Sequence, residues 1–376
     1  MESIKPKVAE PIKVAEPIKV AEPIIVAEPI IVAEPIIVAK EETIYDTSDT
    51  SDTSEEEYKE QIINGYKKLY FMGKGSFSSV FKCNKNGEEY ALKQINNDKK
   101  FIKYATREIN FLKDMKNPNI VKMVDNFIYE DIQYIVFEKL RVNLYSYNKH
   151  IKDFNILTKY CYQIADGLSY LHSKNIIHAD LKLENIMLTN DLENIKIIDL
   201  GSSIESSYKI ENKKNFYIQS RYYRAPEILY EIDLNPKIDI WSYGVIITEL
   251  VFKKCIFNGK DAKDMIYKIC DYIDIPYLLM YTDTSCFNSL FIKDIDGIGI
   301  GISDYRYSKE SNNYKLKGFR ENRLDDYLNY ALKQNFQNIF DYQIYNTISL
   351  IYKIFDYDPN TRLSAEECKI ELSLLE

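Results

Sequence analysis

Two carboxylates, an amide and an ammonium recur over a short stretch of this chain at a spacing suited to handling phosphate. Residues 176–188 read IIHADLKLENIML, which places Asp180, Lys182 and Asn185 in a loop between two apolar runs. Fourteen residues after Asn185, KIIDLGSS sets Asp199 directly behind another strand-like run. Carboxylate and amide oxygens are hard ligands for a divalent cation, and a positioned carboxylate can accept the proton of an attacking hydroxyl. Any one of these residues reads equally well as a solvated loop side chain. All of them, in this order, do not.

A second group lies upstream. Residues 73–80 read GKGSFSSV, where Gly73 and Gly75 let a strand–turn–strand backbone approach phosphates with no Cβ in the way. A glycine pair alone is weak evidence, because such pairs are common in turns. Eighteen residues past Gly75 stands Lys93 in YALKQI, and fifteen further Glu108 in TREINFLKDM. As a surface pair they would contribute about 0–1 kcal/mol. Placed in a cleft, the pair would aim the ammonium at the α- and β-phosphates of a nucleotide.

The elements needed to position these groups are legible too. Short β-rich runs (LYFMGKG, SSVFKC, EYALKQI, QYIVFEK) alternate with turn signals at Asn86-Gly87 and Glu130-Asp131, as in an antiparallel sheet. Ile109, Leu112 and Met115 form an apolar stripe around Glu108, and Leu157, Tyr160, Ile164, Leu168 and Leu171 mark one face of a buried helix. Further helical patterns fall at about 238–252, 261–272, 324–334 and 344–355. A small β-rich part followed by a larger helical part predicts an α+β fold of two lobes with a cleft between them.

Taken together, the motifs resemble those of eukaryotic-type protein kinases over roughly residues 66–370: glycine loop, strand lysine, helix glutamate, H-x-D-x-K-x-x-x-N, D-x-G and Ala225-Pro226-Glu227. The resemblance implies a two-lobed kinase fold, with an antiparallel N-lobe carrying one helix (64–138) and a mainly helical C-lobe (139–376). It implies that ATP and Mg²⁺ are the cofactors. Gly73, Gly75, Ser76 and Val80 would cover the nucleotide, and Lys93 paired with Glu108 would contact its phosphates. Phe137, Glu138 and Leu140 would form gatekeeper and hinge, with Ala91, Val80 and Met187 around the adenine. Asp180 would orient the substrate hydroxyl and take its proton, Lys182 would steady the transferred phosphate, and Asn185 and Asp199 would hold the metal. Arg362 is expected to pair with Glu227, and His178 to be a packed, hydrogen-bonded histidine.

The segment NFYIQSRYYRAPEIL (215–229) narrows the resemblance to the dual-specificity tyrosine-regulated and homeodomain-interacting kinases, in the group that includes cyclin-dependent and mitogen-activated kinases. It implies a serine/threonine kinase that phosphorylates itself on Tyr217, with Arg221 and Arg224 placed to pair with the new dianion. Ala179 stands where an arginine often precedes the catalytic aspartate, Leu200 replaces the phenylalanine of D-F-G, Leu183 a proline and Ser78 the third glycine. None of these removes a group that holds metal, phosphate or proton. The rival reading is a kinase-shaped scaffold; scaffolds commonly lack one of Lys93, Glu108, Asp180, Asn185 and Asp199, and all five are present.

Composition bounds the rest. The chain has 376 residues, a formal charge of −8, 45% hydrophobic and 13% aromatic residues, enough for a sizeable core. Residues 1–60 hold 15 of the 57 acidic and 6 of the 49 basic side chains, leaving a body with 42 and 43. That near-neutral body offers no argument for nucleic acid. No run has the apolar length of a membrane span, and the N-terminus does not read as a secretory signal. Six scattered cysteines without a CxxC pair suit a reducing compartment. A monomer acting on protein substrates in the cytoplasm, with the nucleus the other site, is the expectation. Residues 1–63 read as a low-complexity tail. VAEPI recurs at 8–12, 14–18, 20–24, 26–30 and 32–36, and a proline every sixth residue excludes a helix or central strand. An extended or disordered segment is expected, with a hexapeptide β-helix the ordered alternative. DTSDTSDTSEEE (46–57) reads as a solvated linker able to accept phosphate.

Overall fold

The computed structural model describes residues 61–75, 77–208, 218–232, 234–273 and 323–375, with the backbone strands 37–38, 291–293 and 300–302. Most of the tail expected to be disordered lies outside the described residues, with Ser76, Tyr217, Cys286 and most of 274–322. Residues 61–63, read as the end of that tail, are instead a strand of the folded body with Ile63 fully buried, because an apolar pair there completes the sheet edge.

Among the described residues, seven strands build the N-lobe sheet: β1 (Ile37–Val38), β2 (Gln61–Ile63), β3 (Tyr66–Lys74), β4 (Ser78–Lys85), β5 (Glu88–Ile95), β6 (Met123–Tyr129) and β7 (Ile132–Glu138). Their order is β1-β3-β4-β5-β7-β6, with β2 also on β3 and every pairing antiparallel. The turn signals act as read. Asn86 and Gly87 both take positive φ (55° and 87°), the geometry of a two-residue primed hairpin whose twist matches the strands. Glu130 and Asp131 do the same without a glycine (49° and 61°).

Helix α1 (Lys99–Leu112) is capped by Asp98, whose carboxylate accepts from the Lys100 amide. It ends one turn earlier than the apolar stripe suggests, so Met115 lies beyond it. Its buried residues are Ala105, Glu108 and Leu112. Counting apolar residues alone misses a face on which an ion-paired carboxylate points inward.

In the C-lobe, β8 (Val142–Asn143) and α2 (Leu144–Tyr147) lead into α3 (Phe154–Ser173), which buries all five residues of its expected stripe. Four short strands follow: β9 (Ile176–Ile177), β10 (Ile186–Leu188), β11 (Ile195–Ile197) and β12 (Ile204–Glu205). β10 pairs with β8 and β11, and β9 with β12, so the loops 178–185 and 198–203 emerge from the same set of strand ends. After α4 (Pro226–Leu229), helix α5 (Lys237–Phe252) is buried from Ile238 to Val251 and forms the lobe's axis. Such a helix is apolar on all sides because every side meets protein. A Cβ at Gly244 would overlap Ile354 and come within 2.8 Å of the Phe355 ring, so glycine sets the approach there. Helices α6 (Ala262–Cys270), α7 (Arg323–Asn335), α8 (Asp341–Ile354) and α9 (Ala365–Ser373) follow among the described residues of the lobe. Arg362 and Glu227 form the expected buried pair through two parallel bonds of 2.7 and 2.9 Å, with the guanidinium 5.2 Å from the Trp241 ring.

Candidate active site

Lys93 sits on central strand β5, opposite Val80 on one side and Ile135 on the other. Its Nζ donates to Glu108 Oε2 (2.7 Å) and Oε1 (3.0 Å) on α1 and to Asp199 Oδ1 (3.1 Å) beyond β11. One ammonium therefore ties sheet, helix and C-lobe together. Burial alone would lower the lysine's pKa; the charges of Asp199 and Glu108 overcome it and raise it. Burial raises the Glu108 carboxyl against the pull of Lys93, with Asp199 adding to the rise. Asp199 is lowered: burial opposes this, but Lys93, Lys182 and His178 outweigh it. The site is a desolvated cation held by two acids.

The loop after β9 is hung from α5. Asp239, fully buried, accepts the backbone amides of His178 (2.7 Å) and Ala179 (2.9 Å) and faces His172 Nε2 at 3.0 Å. His178 is packed as expected: Nδ1 accepts from the Asp180 amide (3.2 Å) and Nε2 lies 3.0 Å from the Ile198 carbonyl. Ala179, Asp199 and Gln219 take φ of 65°, 63° and 63°, a left-handed conformation that costs about 1 kcal/mol or more for non-glycine residues. The neighbouring bonds hold it: the Gln219 amide donates to Ala179 O at 3.0 Å, and its side chain grips Ile238, Ser242 and Ala225. Leu200 is wholly buried in an apolar slot.

Asp180 is 1% exposed. Its Oδ1 accepts from Ser220 Oγ (2.7 Å) and the Ser220 amide (3.0 Å), and its Oδ2 from Lys182 Nζ (2.9 Å). Lys182 also donates to Ser220 Oγ at 3.0 Å, which closes a triangle of aspartate, lysine and serine. Asn185 donates to the Asp180 carbonyl (2.9 Å), and its own carbonyl accepts the Ile198 amide (2.9 Å), bringing it beside the strand end that carries Asp199. An amide oxygen and a carboxylate form a hard-oxygen donor set that fits a divalent cation taking its remaining ligands from phosphate and water.

Phe137 faces Ala91 across the β5–β7 ladder, and Leu140 is buried. Met187 lies half-buried on β10 opposite Asn143, and the Arg141 amide donates to Leu188 O. Glu138 turns its carboxylate to the Lys122 amide (2.7 Å) and to Lys196 (3.0 Å). In the glycine loop, Gly73 faces Val80, and the Gly75 amide donates to Ser78 O. Arg221 donates to Lys260 O. Arg224 is buried, its Nε on the carbonyl of Ile218, the residue after Tyr217, and its Nη2 on Gln219 O.

Three residues escaped the sequence reading. Glu184 lies inside the quoted loop motif, and its Oε2 is buried with no hydrogen-bond partner among the described residues. Burial raises its pKa, although Lys182 opposes the rise. Tyr223 donates a short hydrogen bond to Glu249, a carboxyl pushed up to about 7 by burial and, further, by Glu184, while the tyrosine bond pulls it down. Glu249, the second acid after Asp239 in the buried run of α5, was the available signal, since an unpaired charge is costly there.

The protein kinase domain family matches residues 66–371. Dual specificity tyrosine-phosphorylation-regulated kinase 3 of Macaca fascicularis is 34% identical over 224 residues, covering 56% of this chain and 39% of the relative. A putative homologue of that kinase from Drosophila melanogaster is 35% identical over 224 residues, 56% and 27% of the two lengths. A probable dual specificity protein kinase YAK1 homolog of Encephalitozoon cuniculi is 33% identical over 266 residues, covering 68% of this chain and 63% of the relative. The aligned part is less than two thirds of each relative.

Proposed function

The chain belongs to the protein kinase family, in its dual-specificity tyrosine-regulated branch, and on that premise we propose that it transfers the γ-phosphoryl group of ATP to serine and threonine hydroxyls of proteins. The observation that carries the reading is the Lys93 ammonium, bonded at once to Glu108 of the N-lobe and Asp199 of the C-lobe. That arrangement presets a cation where the α- and β-phosphates would lie. A scaffold would not need it, nor the complete set opposite.

The attacking hydroxyl would take the place Ser220 Oγ now holds beside Asp180. As its oxygen bonds to the γ-phosphorus, the bond to the β-phosphate oxygen breaks and the hydroxyl proton passes to Asp180. Lys182 neutralises charge on the moving phosphoryl, and the loop pinned by Asp239 keeps Asp180 from drifting. Asn185 and Asp199 would hold Mg²⁺, which supplies charge neutralisation on the phosphates. Self-phosphorylation at Tyr217 belongs to the same reading, supported by the IQSRYYRAPE sequence that follows it, in which Arg221 and Arg224 stand four and seven positions on.

Radiolabelled phosphate incorporation by wild type, Lys93→Met and Asp180→Asn tests the reading. Both variants should lose at least about a hundredfold in rate when compared at a temperature where circular dichroism shows each of them folded. Equal incorporation by all three would reject the assignment. Mass spectrometry of protein made in bacteria should find phosphate on Tyr217.

A further inference from the structure

The outer edge of β3 is where the tail repeat meets the folded body. β4 occupies one edge of β3, and two short strands share the other. β2 pairs with Tyr66–Lys68, and β1 pairs Val38 with Gly73 and Ile37 with Lys74. Both run antiparallel to β3, so they lie end to end in the same direction. An uncovered strand edge is a standing template for pairing. At this end it carries the root of the glycine loop, one residue short of Gly75.

The sequence of the repeat changes at the same place. Prolines stand at 11, 17, 23, 29 and 35, and the next position in the series is Glu41. Val38-Ala39 thus opens a sixth unit, VAKEE, with no proline to remove a ladder donor. Pairing within one chain is reachable. The positions covered on β3, Gly73 and Lys68, are about 17 Å apart at ~3.4 Å per residue. The 22 residues between Val38 and Gln61 can extend to about 70 Å. Charge favours the same arrangement, since those 22 residues include nine acids (Glu41, Glu42, Asp46, Asp49, Asp52, Glu55, Glu56, Glu57, Glu60) and the β3 they flank carries Lys67, Lys68 and Lys74.

We infer that the proline-free last unit of the repeat docks as an edge strand on β3 of its own chain and steadies the glycine loop for nucleotide. The tail is then a regulatory element of the catalytic lobe, and the acidic Ser/Thr run that follows is the length of chain it must span. The nucleotide half rests on the kinase reading; the docking half does not.

Hydrogen exchange on the full chain separates the two. Val38→Pro removes a backbone donor from the paired unit, and Val26→Pro makes the same change inside an already proline-bearing repeat. Amides of residues 71–75 should exchange about tenfold faster in Val38→Pro and unchanged in Val26→Pro. ATP should bind at least about threefold more weakly to Val38→Pro alone. Unchanged exchange in Val38→Pro, or an equal effect of Val26→Pro, overturns the docking. Protection that grows with protein concentration overturns it in favour of strand exchange between copies. Faster exchange with unaltered ATP affinity overturns the link to nucleotide. If no version of the chain binds ATP, the kinase reading fails while the exchange result still decides the strand.

Discussion

Glu249 shows how one carboxyl is shaped by its surroundings. Its pKa of about 7 means the folded chain holds a proton there that the unfolded chain has released above about 4.5. The stability contribution is therefore present below pH ~4.5 and lost as pH rises through about 7. A shift of this size corresponds to at most ~3 kcal/mol. Glu249→Gln should accordingly stabilise the fold by about 1–3 kcal/mol at pH 8 and little at pH 5, measured by urea unfolding at both values. A gain of the same size at both would contradict the raised pKa. Glu184, four positions after Asp180, feels that residue's charge and has a buried carboxylate oxygen with no hydrogen-bond partner among the described residues. Peptides with a basic residue close to the accepting hydroxyl should lose about tenfold in kcat/KM with Glu184→Gln, and neutral peptides almost nothing. Equal losses would show that Glu184 only supports the loop.

At the scale of elements, the chemistry depends on how strand ends and helices are tied. The loop 178–185 is suspended from α5 through Asp239, and α4 is fastened through Glu227 to Arg362. A buried bidentate pair contributes little when both partners are replaced together, but losing one strands the other charge. Glu227→Ala should cost about 3–5 kcal/mol, and Glu227→Met with Arg362→Met distinctly less. Chemical denaturation of the three proteins checks this, and an equal or larger loss in the double variant would refute it. Gly244 makes the same point through packing. Gly244→Ala forces α5 away from Ile354 and Phe355 and should destabilise by about 1–3 kcal/mol, read as a lowered melting temperature.

The whole molecule is two lobes that meet at Lys93, Glu108 and Asp199. A nucleotide with its metal would contact both lobes and should raise the melting temperature of the assembled chain. At a hundred times Kd the gain is about 2.7 kcal/mol. Differential scanning fluorimetry with ATP and Mg²⁺ should show it for wild type and lose most of it in Lys93→Met. An unmoved melting curve for wild type would favour the scaffold reading. The charge is divided at the same scale: residues 1–60 hold the acid excess and the remaining body is almost neutral. Any electrostatic influence of the tail on its own lobes should therefore weaken as salt is raised.

By itself the sequence determined the lobes, the hairpins, the buried face of α3 and the family, because hairpin turns, apolar periodicity and short loop motifs are written in neighbouring residues. Asp180, Lys182 and Asn185 lie within six positions, and a turn such as Asn86-Gly87 needs nothing beyond its own backbone. What only the tertiary structure decided involves groups far apart in the chain. Lys93 and Asp199, 106 positions apart, share one proton-rich contact. The inward side of α1 is set by Glu108, which an apolar count discards because a carboxylate is buried only when its partner is known. Glu184 and Glu249 become a pair only when the loop settles on α5. Which stretch of a monotonous repeat meets the sheet edge is likewise a matter of reach and free donors, and periodicity is the same in every repeat.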